Sequence, residues 1–517
     1  MTLSIASLLA ESARRWPART AIISDGCRLS YGQVWDQALR YAAVLRDHGV
    51  GPGDRVALMM PNLPQFPMTY YGALALGAVI VPIHSLLKAE EIAYVLSDAE
   101  VSVFVCAAPF LGAGEPGATL ARVPLLSVLD GPGTAVERLD LLAALAEPVV
   151  TLAPCDPLDD AVLLYTSGTT GKPKGAVLSH LTMVMNAQIS ARNILQLRDG
   201  DVILAVLPLF HSFGQTCVMN AGFFQGATIV TMPRFEPAGA MDLMMAHAVT
   251  VFEGVPTMYI ALLEAARTDE RRPALRSAIS GGASLPVTVI EKFHEVFGVN
   301  IYEGYGLSET APVATFNQPD FGRKAGTVGC AIWGVDVGIA RPEIEEAIKL
   351  LPVGDLGEVV IRGHNLMKRY HNKPEETQAA IVDGWFRSGD LGTLDEEGFL
   401  TIVDRKKDMV LRGGYNVYPR EVEEVLLRHP AVSQVAVIAV PDPHYGEEVC
   451  AVVIRDQAYL ADPAPSEADL EAEIIAYAKE RVASYKYPRL VRFVDALPLG
   501  PSGKVLKREL AARYAGE

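Results

Sequence analysis

The sequence predicts an α/β protein: a large N-terminal region of parallel-sheet α/β subdomains, a β-barrel-like subdomain, and a small mobile α+β C-terminal domain. Three observations carry that expectation. Short, wholly apolar runs alternate with helical patterns over 35–110 and again over 202–310, the rhythm of strands buried on both faces between covering helices. After about residue 325 the texture changes to short strands separated by turns. The length, 517 residues, exceeds what one hydrophobic core fills.

In chain order, MTLSIASLLAESARRWP sets Glu11 and two arginines directly behind a short apolar run. It reads as an amphipathic helix and not as a secretory leader. RVALMM (55–60), AVIVPI (78–83) and VSVFVC (101–106) read as buried strands. So do VILAVLP, ATIVTMP and VTVFEGVP (249–256), with MDLMMAHA and MYIALLEAAR as helices between them. DVGIA, GEVVIRG, GWFRSGD and GFLTIVDR supply the barrel-like part. Beyond residue 408, EVEEVLLRHP and DLEAEIIAYAKERV are helices, and QVAVIAVPD and EEVCAVVIR strands. The expected division is 1–404, a hinge at 405–407, and 408–517. The polar run Asp404-Arg405-Lys406-Lys407-Asp408 suits a hinge better than a passive tether.

Composition sets bounds. Half the residues are hydrophobic and 21% charged, which excludes a disordered chain. The net charge of −16, from 45 basic and 61 acidic residues, excludes a general nucleic-acid binder. Two charge-free stretches, 61–87 and 202–233, are interrupted by prolines and polar residues, so no transmembrane segment is expected. Cysteines 27, 106, 155, 217, 330 and 450 form no CxxC pair or zinc spacing. Scattered single thiols suit a reducing compartment, hence a cytoplasmic protein.

The strongest chemical signal is YTSGTTGKPKG (165–175), directly after the apolar AVLLY. Hydroxyls at Thr166, Ser167, Thr169 and Thr170 alternate with glycines at 168, 171 and 175, and Lys172 and Lys174 follow. A backbone with so few side chains approaches a phosphate closely, with N–H and O–H donors exposed. A lysine adds the opposite charge. The segment is not a Walker A loop, since two residues, not four, separate Gly168 from Gly171 and Pro173 follows Lys172. The plainer reading is a flexible surface loop.

This segment resembles the phosphate loop of the superfamily of acyl- and aryl-CoA ligases, peptide-synthetase adenylation domains and luciferases, and its spelling is most similar to bacterial fatty-acyl-CoA ligases. The other motifs follow in that family's order: LPLFHSFG (207–214), GGASLP (281–286), YEGYGLSET (302–310), GWFRSGDLG (384–392), DRKKDMVLRGGYNVYPREVE (404–423) and PSGKVLK (501–507).

The resemblance implies activation of a carboxylic acid, fatty or otherwise apolar, as acyl-AMP with pyrophosphate release, then transfer to coenzyme A. ATP, Mg2+ and coenzyme A are the implied cofactor and co-substrates. It implies phosphate contacts from Thr166, Ser167, Gly168, Thr169, Thr170, Gly171 and Lys174, and magnesium at Glu309 with Thr166. Thr310 would donate to the α-phosphate. Adenine would lie between Tyr305 and the Gly282–Ala283 backbone, and Asp390 and Arg405 would hold the ribose. A carboxylate can accept from both hydroxyls of a cis-diol, which is the physical reason for Asp390. Lys504 would reach the carboxylate and α-phosphate during adenylation, while Lys507 and Arg508 read as solvated cations. Lys407 is the implied hinge residue. His211 with Phe213 would gate the acyl pocket, lined by Val255, Gly281 and Gly306. Gly413 and Gly414 would let pantetheine pass the backbone.

His84, in VPIHSLL, departs from the family's usual Asn-Pro. It would either alter substrate choice or sit as a plain core or surface histidine. The competing readings keep the adenylating chemistry but change acid or acceptor: an aryl acid, a carrier-protein arm, or nitrite activated for capture by an amine. A third reading is a non-catalytic nucleotide-binding scaffold. The sequence is compatible with a homodimer.

Overall fold

The computed structural model describes residues 3–131, 135–166, 172–456, 459, 465–500 and 505–515. The expected α/β class holds, with one topological feature the local pattern does not reveal. The two helix–strand runs build two separate sheets, and the N-terminal hairpin joins the later one. Strands Thr20–Ser24 and Cys27–Ser30 extend a nine-stranded sheet, where Thr20–Ser24 runs parallel to Thr228–Thr231. That sheet continues through Val202–Ala205, Val251–Gly254, Ser277–Ser280 and Ile301–Gly306. The other sheet has seven strands and centres on Arg55–Met59, Val79–Pro82 and Asp160–Thr166.

Helices pack between and outside these sheets. Tyr31–Asp47 begins at a capping box, with Gln33 N donating to Ser30 Oγ and Ser30 N donating to the Gln33 side chain. It packs on Gln65–Ala75, where Gly72 is required: a Cβ there would lie 2.5 Å from the Ala38 carbonyl oxygen. Ala6–Arg15 is the expected amphipathic helix, with Leu8, Leu9 and Ala13 buried. The principal core joins helices to the inner faces of both sheets, and separate cores close each outer face.

From Val335 a five-stranded antiparallel sheet follows, with Trp385–Leu394 between Gly357–Gly363 and Leu400–Arg405. Residues 406–408 form a turn closed by Asp408 N donating to Arg405 O. A last five-stranded sheet starts at Val410–Arg412, with the long pair Val432–Asp442 and Gly446–Arg455 at its centre and a core of its own. No helix among the described residues is long and apolar enough to cross a membrane.

Candidate active site

The strand ends of both large sheets, the antiparallel sheet and the C-terminal unit meet at one cleft of about 2150 Å3. Crevices at strand ends are where open α/β sheets bind ligands. Most of the residues singled out from the sequence line it: Thr166, Lys174, His211, Phe213, Gly281, Gly282, Ala283, Tyr305, Gly306, Glu309, Asp390, Arg405 and Lys407. Ser167, Gly168, Thr169, Thr170, Gly171 and Lys504 lie outside the described residues.

The phosphate segment is the connection of an antiparallel hairpin, Asp160–Thr166 with Lys174–Ser179, whose last pair is Thr166 with Lys174. Thr166 Oγ1 donates to Glu309 Oε1 at 3.3 Å. Glu309 stands in a tight 3-10 turn, Ser308–Thr310, after strand Ile301–Gly306. The chain reverses so closely there that a Cβ on Gly306 would fall 1.7 Å from the Pro312 carbonyl oxygen. Thr310 is fully buried, and its Oγ1 accepts from Leu307 N at 2.9 Å and donates to the Pro312 carbonyl. In this arrangement its hydroxyl builds the turn.

Sequence reasoning missed Tyr370. Its hydroxyl donates to Glu309 Oε1 at 2.8 Å, and Lys174 Nζ lies 5.4 Å over its ring. Burial and the Glu309 charge push the phenol pKa far up, so it remains a donor. Both hydroxyls use one carboxylate oxygen, which leaves Oε2 for a cation. Among the described residues no group of three His, Cys, Asp or Glu side chains could hold a metal ion. One protein carboxylate and a hydroxyl fit magnesium, which takes its other ligands from phosphate and water.

On the side expected to take the ribose, Tyr305 donates to Asp390 Oδ2 at 2.6 Å, and Arg405 Nε pairs with Oδ1 at 3.1 Å. Asp390 and Arg405 are register partners on adjacent strands, which is why the pair forms. The Asp390 charge holds the Arg405 pKa up. Gly282 has φ of +82°, a backbone form that glycine tolerates.

On the side expected to take the acyl group, His211 Nδ1 accepts from Phe213 N at 3.2 Å. Gly281 faces the Phe213 ring, where a Cβ would come within 3.1 Å. Val255 is buried at the start of helix Pro256–Ala265. His84 also lines the cleft. Its ring sits 4.7 Å from that of Phe210, its Nδ1 accepts from Leu86 N, and burial lowers its pKa to about 4, so it is neutral.

The C-terminal unit presents 497–500 and 505–509 to the cleft, on either side of the segment that holds Lys504. Gly413 and Gly414, with φ of +57° and +85°, are exposed and lie apart from the cleft lining. Lys507 corrects the sequence reading: it is no solvated cation but lies 2.7 Å from Glu423 Oε1. Burial pulls its pKa down, but Glu423 and Asp404 more than offset this and the net shift is upward. Arg508 is exposed as expected.

Residues 9–371 match the family model for AMP-binding enzyme, and 421–504 that for AMP-binding enzyme C-terminal domain. The chain belongs to the AMP-binding enzyme family. A long-chain-fatty-acid–CoA ligase of Bacillus subtilis is 37% identical, covering 98% of this chain and 94% of its own. A feruloyl-CoA synthase of Amycolatopsis is 36% identical, covering 97% of each chain. The crystal structure of ATP-bound MatB from Rhodopseudomonas palustris superposes with a TM-score of 0.90 at 33% identity, covering 100% of this chain and 99% of that one. The expected activity is thereby borne out: this AMP-forming acid–thiol ligase converts an acid and ATP to acyl-AMP and pyrophosphate, then passes the acyl group to coenzyme A.

Proposed function

We propose that this ligase activates an acid with a predominantly apolar tail, and that its C-terminal unit serves the two half-reactions in two positions. The observation that carries this is the convergence on one cleft of Glu309, held by Thr166 and Tyr370, and Asp390, held by Tyr305 and Arg405. One carboxylate serves the metal side and the other the ribose side. Between them the nucleotide is oriented with its α-phosphorus toward the acyl end, where Ile83, Leu87, Ile194 and Phe213 make an apolar wall.

Attack of a carboxylate on the α-phosphorus brings two anions together, so fixed positive charge is needed. Lys174 and Arg405 at the cleft would supply it, and Lys504 is the further cation expected from the sequence. Magnesium at Glu309 would neutralise phosphate charge and orient the leaving pyrophosphate. His211 and Phe213 separate the acyl pocket from the cleft. In the second half-reaction, rotation at Lys407 withdraws Lys504 and brings Gly413 and Gly414 to the cleft, where their bare backbone admits the thiol arm. The exposed position of these two glycines, while 505–509 faces the cleft, agrees with the first of the two positions.

The acids named for the relatives, a long-chain fatty acid and ferulate, differ in shape but share an extended carbon skeleton. The six free cysteines agree with a cytoplasmic location. The test is pyrophosphate exchange into ATP across an acid panel, followed by product mass spectrometry with coenzyme A. Acyl-CoA and AMP are expected. Exchange with no acid would overturn the reading.

A further inference from the structure

The apolar end of the cleft holds one carboxyl group that the reaction does not use. Glu253 lies in strand Val251–Gly254, a central strand of the nine-stranded sheet. Side-chain alternation puts Val251, Glu253 and its register partner Ile279 on the face of the principal core, while Phe252 and Ala278 face the outer core. Glu253 is fully buried and lines the cleft. Neither of its carboxyl oxygens has a hydrogen-bond partner among the described residues.

Such a group is expensive. A buried polar atom left unpaired costs roughly 1–3 kcal/mol, and a charged one more. An aliphatic side chain would avoid that cost at this position, so the carboxyl calls for a partner. The described residues offer none. Tyr259, beside it, already donates to Ile279 O at 2.5 Å. The Cys217 thiol, also beside it, is paired with Ser190 Oγ. Burial, with no cation acting on it, pushes the Glu253 pKa to about 8, so near neutrality the group carries one O–H donor and one C=O acceptor.

The π-helix Gly214–Asn220, which brings Cys217 to the cleft, adds to this character. Gln215 and Thr216 on it, and Ser212 just before it, are buried with unpaired side-chain polar atoms. Of these three, Ser212 lines the cleft, so its wall carries a second unused polar group besides the Glu253 carboxyl.

We propose that Glu253 is a specificity-determining residue, and that the preferred acid carries on its tail a hydroxyl or amino substituent that hydrogen-bonds to the Glu253 carboxyl. A hydroxyl or a neutral arylamine can donate to the C=O and accept from the O–H, while an alkylammonium only donates. The inference rests on the acid-activating reading above and narrows its substrate class. A plain hydrocarbon tail would leave the carboxyl unpaired in the bound state.

The experiment measures kcat/KM for pyrophosphate exchange with matched acids, straight-chain and aryl, each as the unsubstituted parent, the hydroxy derivative and the amino derivative. The full-length wild-type enzyme should prefer the best substituted acid over its parent by about 10-fold to 100-fold, the scale of leaving a buried polar group unpaired. The hydroxy and amino arms separate the two sources of that chemistry. Glu253→Met should gain on the parent acid and lose on the substituted one, reducing the ratio to about threefold or less. Glu253→Gln, which keeps a donor and an acceptor, should retain part of the preference. KM for ATP should stay level in both variants, as general damage to the fold would not allow. A wild-type enzyme that uses parents and derivatives equally well overturns the proposal and leaves the acid-activating reading intact. Exchange with no acid at all sinks both. Should Glu253→Met not fold, the wild-type panel with Glu253→Gln decides.

Discussion

The phenol of Tyr305 donates to Oδ2 of Asp390 across 2.6 Å while Arg405 holds Oδ1 at 3.1 Å, so both oxygens of one buried carboxylate are fixed by side chains on either side of it. Tyr305 keeps its proton because burial, with the neighbouring Asp390 charge, raises its pKa far above that of a free phenol. The carboxylate is thereby oriented before a nucleotide arrives, and pre-orientation lowers the entropic cost of binding.

Replacing Asp390 with Ala should therefore raise KM for ATP by about 100-fold, since it removes the ribose acceptor and strands Arg405 and Tyr305 together. Tyr305→Phe keeps the ring and removes only the orienting bond, so a rise of roughly three- to tenfold is expected. Initial-rate pyrophosphate exchange at varied ATP measures both. Equal effects of the two changes would show that the Tyr305 bond, and not the carboxylate, dominates.

Tyr370 and Thr166 share Oε1 of Glu309. Tyr370→Phe removes one charge-assisted bond, worth about 1.5–3 kcal/mol, from the group assigned to magnesium. The half-saturating magnesium concentration should rise roughly tenfold with little change in KM for the acid. Glu309→Ala should abolish the saturable magnesium response within the accessible range. A normal magnesium titration in Glu309→Ala would remove the metal assignment.

Most of this site was legible because its residues sit in short contiguous motifs that keep their spelling wherever they pack. Tyr370 was not, because its link to Glu309 spans 61 positions and arises only when strand Arg369–Tyr370 adds to the edge of the seven-stranded sheet beside Lys174–Ser179. Glu253 was hidden for a different reason. VTVFEGVP reads as a buried strand, and a single acidic letter in it does not say which face it occupies or whether a partner waits there. The fold shows the same division. Strand positions followed from apolar runs, but the joining of Thr20–Ser24 to Thr228–Thr231 depends on a register set by the whole sheet. Lys507 misled because a lysine near a C-terminus is usually solvated, whereas here Glu423 from a different helix meets it.

Stability should fall in mild acid through His180. Its side chain is buried, Nδ1 accepts from Ile5 N at 3.3 Å, and burial lowers its pKa to about 4. The unfolded chain, with the ordinary value near 6.5, binds a proton that the folded chain refuses between those two values. The contribution is thus fully present above about pH 6.5 and is lost as pH falls toward 4, by at most about 3 kcal/mol. His84, also lowered to about 4 by burial, acts with the same sign. Urea unfolding at about pH 4.5 and about pH 7 should show the difference, and His180→Asn, which can still accept from Ile5 N, should reduce but not abolish it. A pH-independent midpoint in the wild type would contradict the buried neutral state.

Separating the two half-reactions tests the moving C-terminal unit. Adenylation needs positive charge against the α-phosphate, while thioester formation needs a bare backbone passage for the thiol, and one face of a small domain cannot supply both at once. Lys504→Ala should lower pyrophosphate exchange by about 100-fold or more, yet leave thioester formation from supplied acyl-AMP within about threefold of wild type, if the proposed rotation withdraws the lysine before the second step. Lys407→Pro should do the reverse. Lys407 lies in the 406–408 turn between Arg405 and Asp408, and a proline there fixes φ and opposes rotation. With rotation opposed while 505–509 faces the cleft, exchange should continue and thioester formation should fall by at least about tenfold. Single-turnover assays with isolated acyl-AMP resolve the steps. If both variants depress both half-reactions in equal proportion, the two faces do not alternate, and one fixed arrangement must serve the whole reaction.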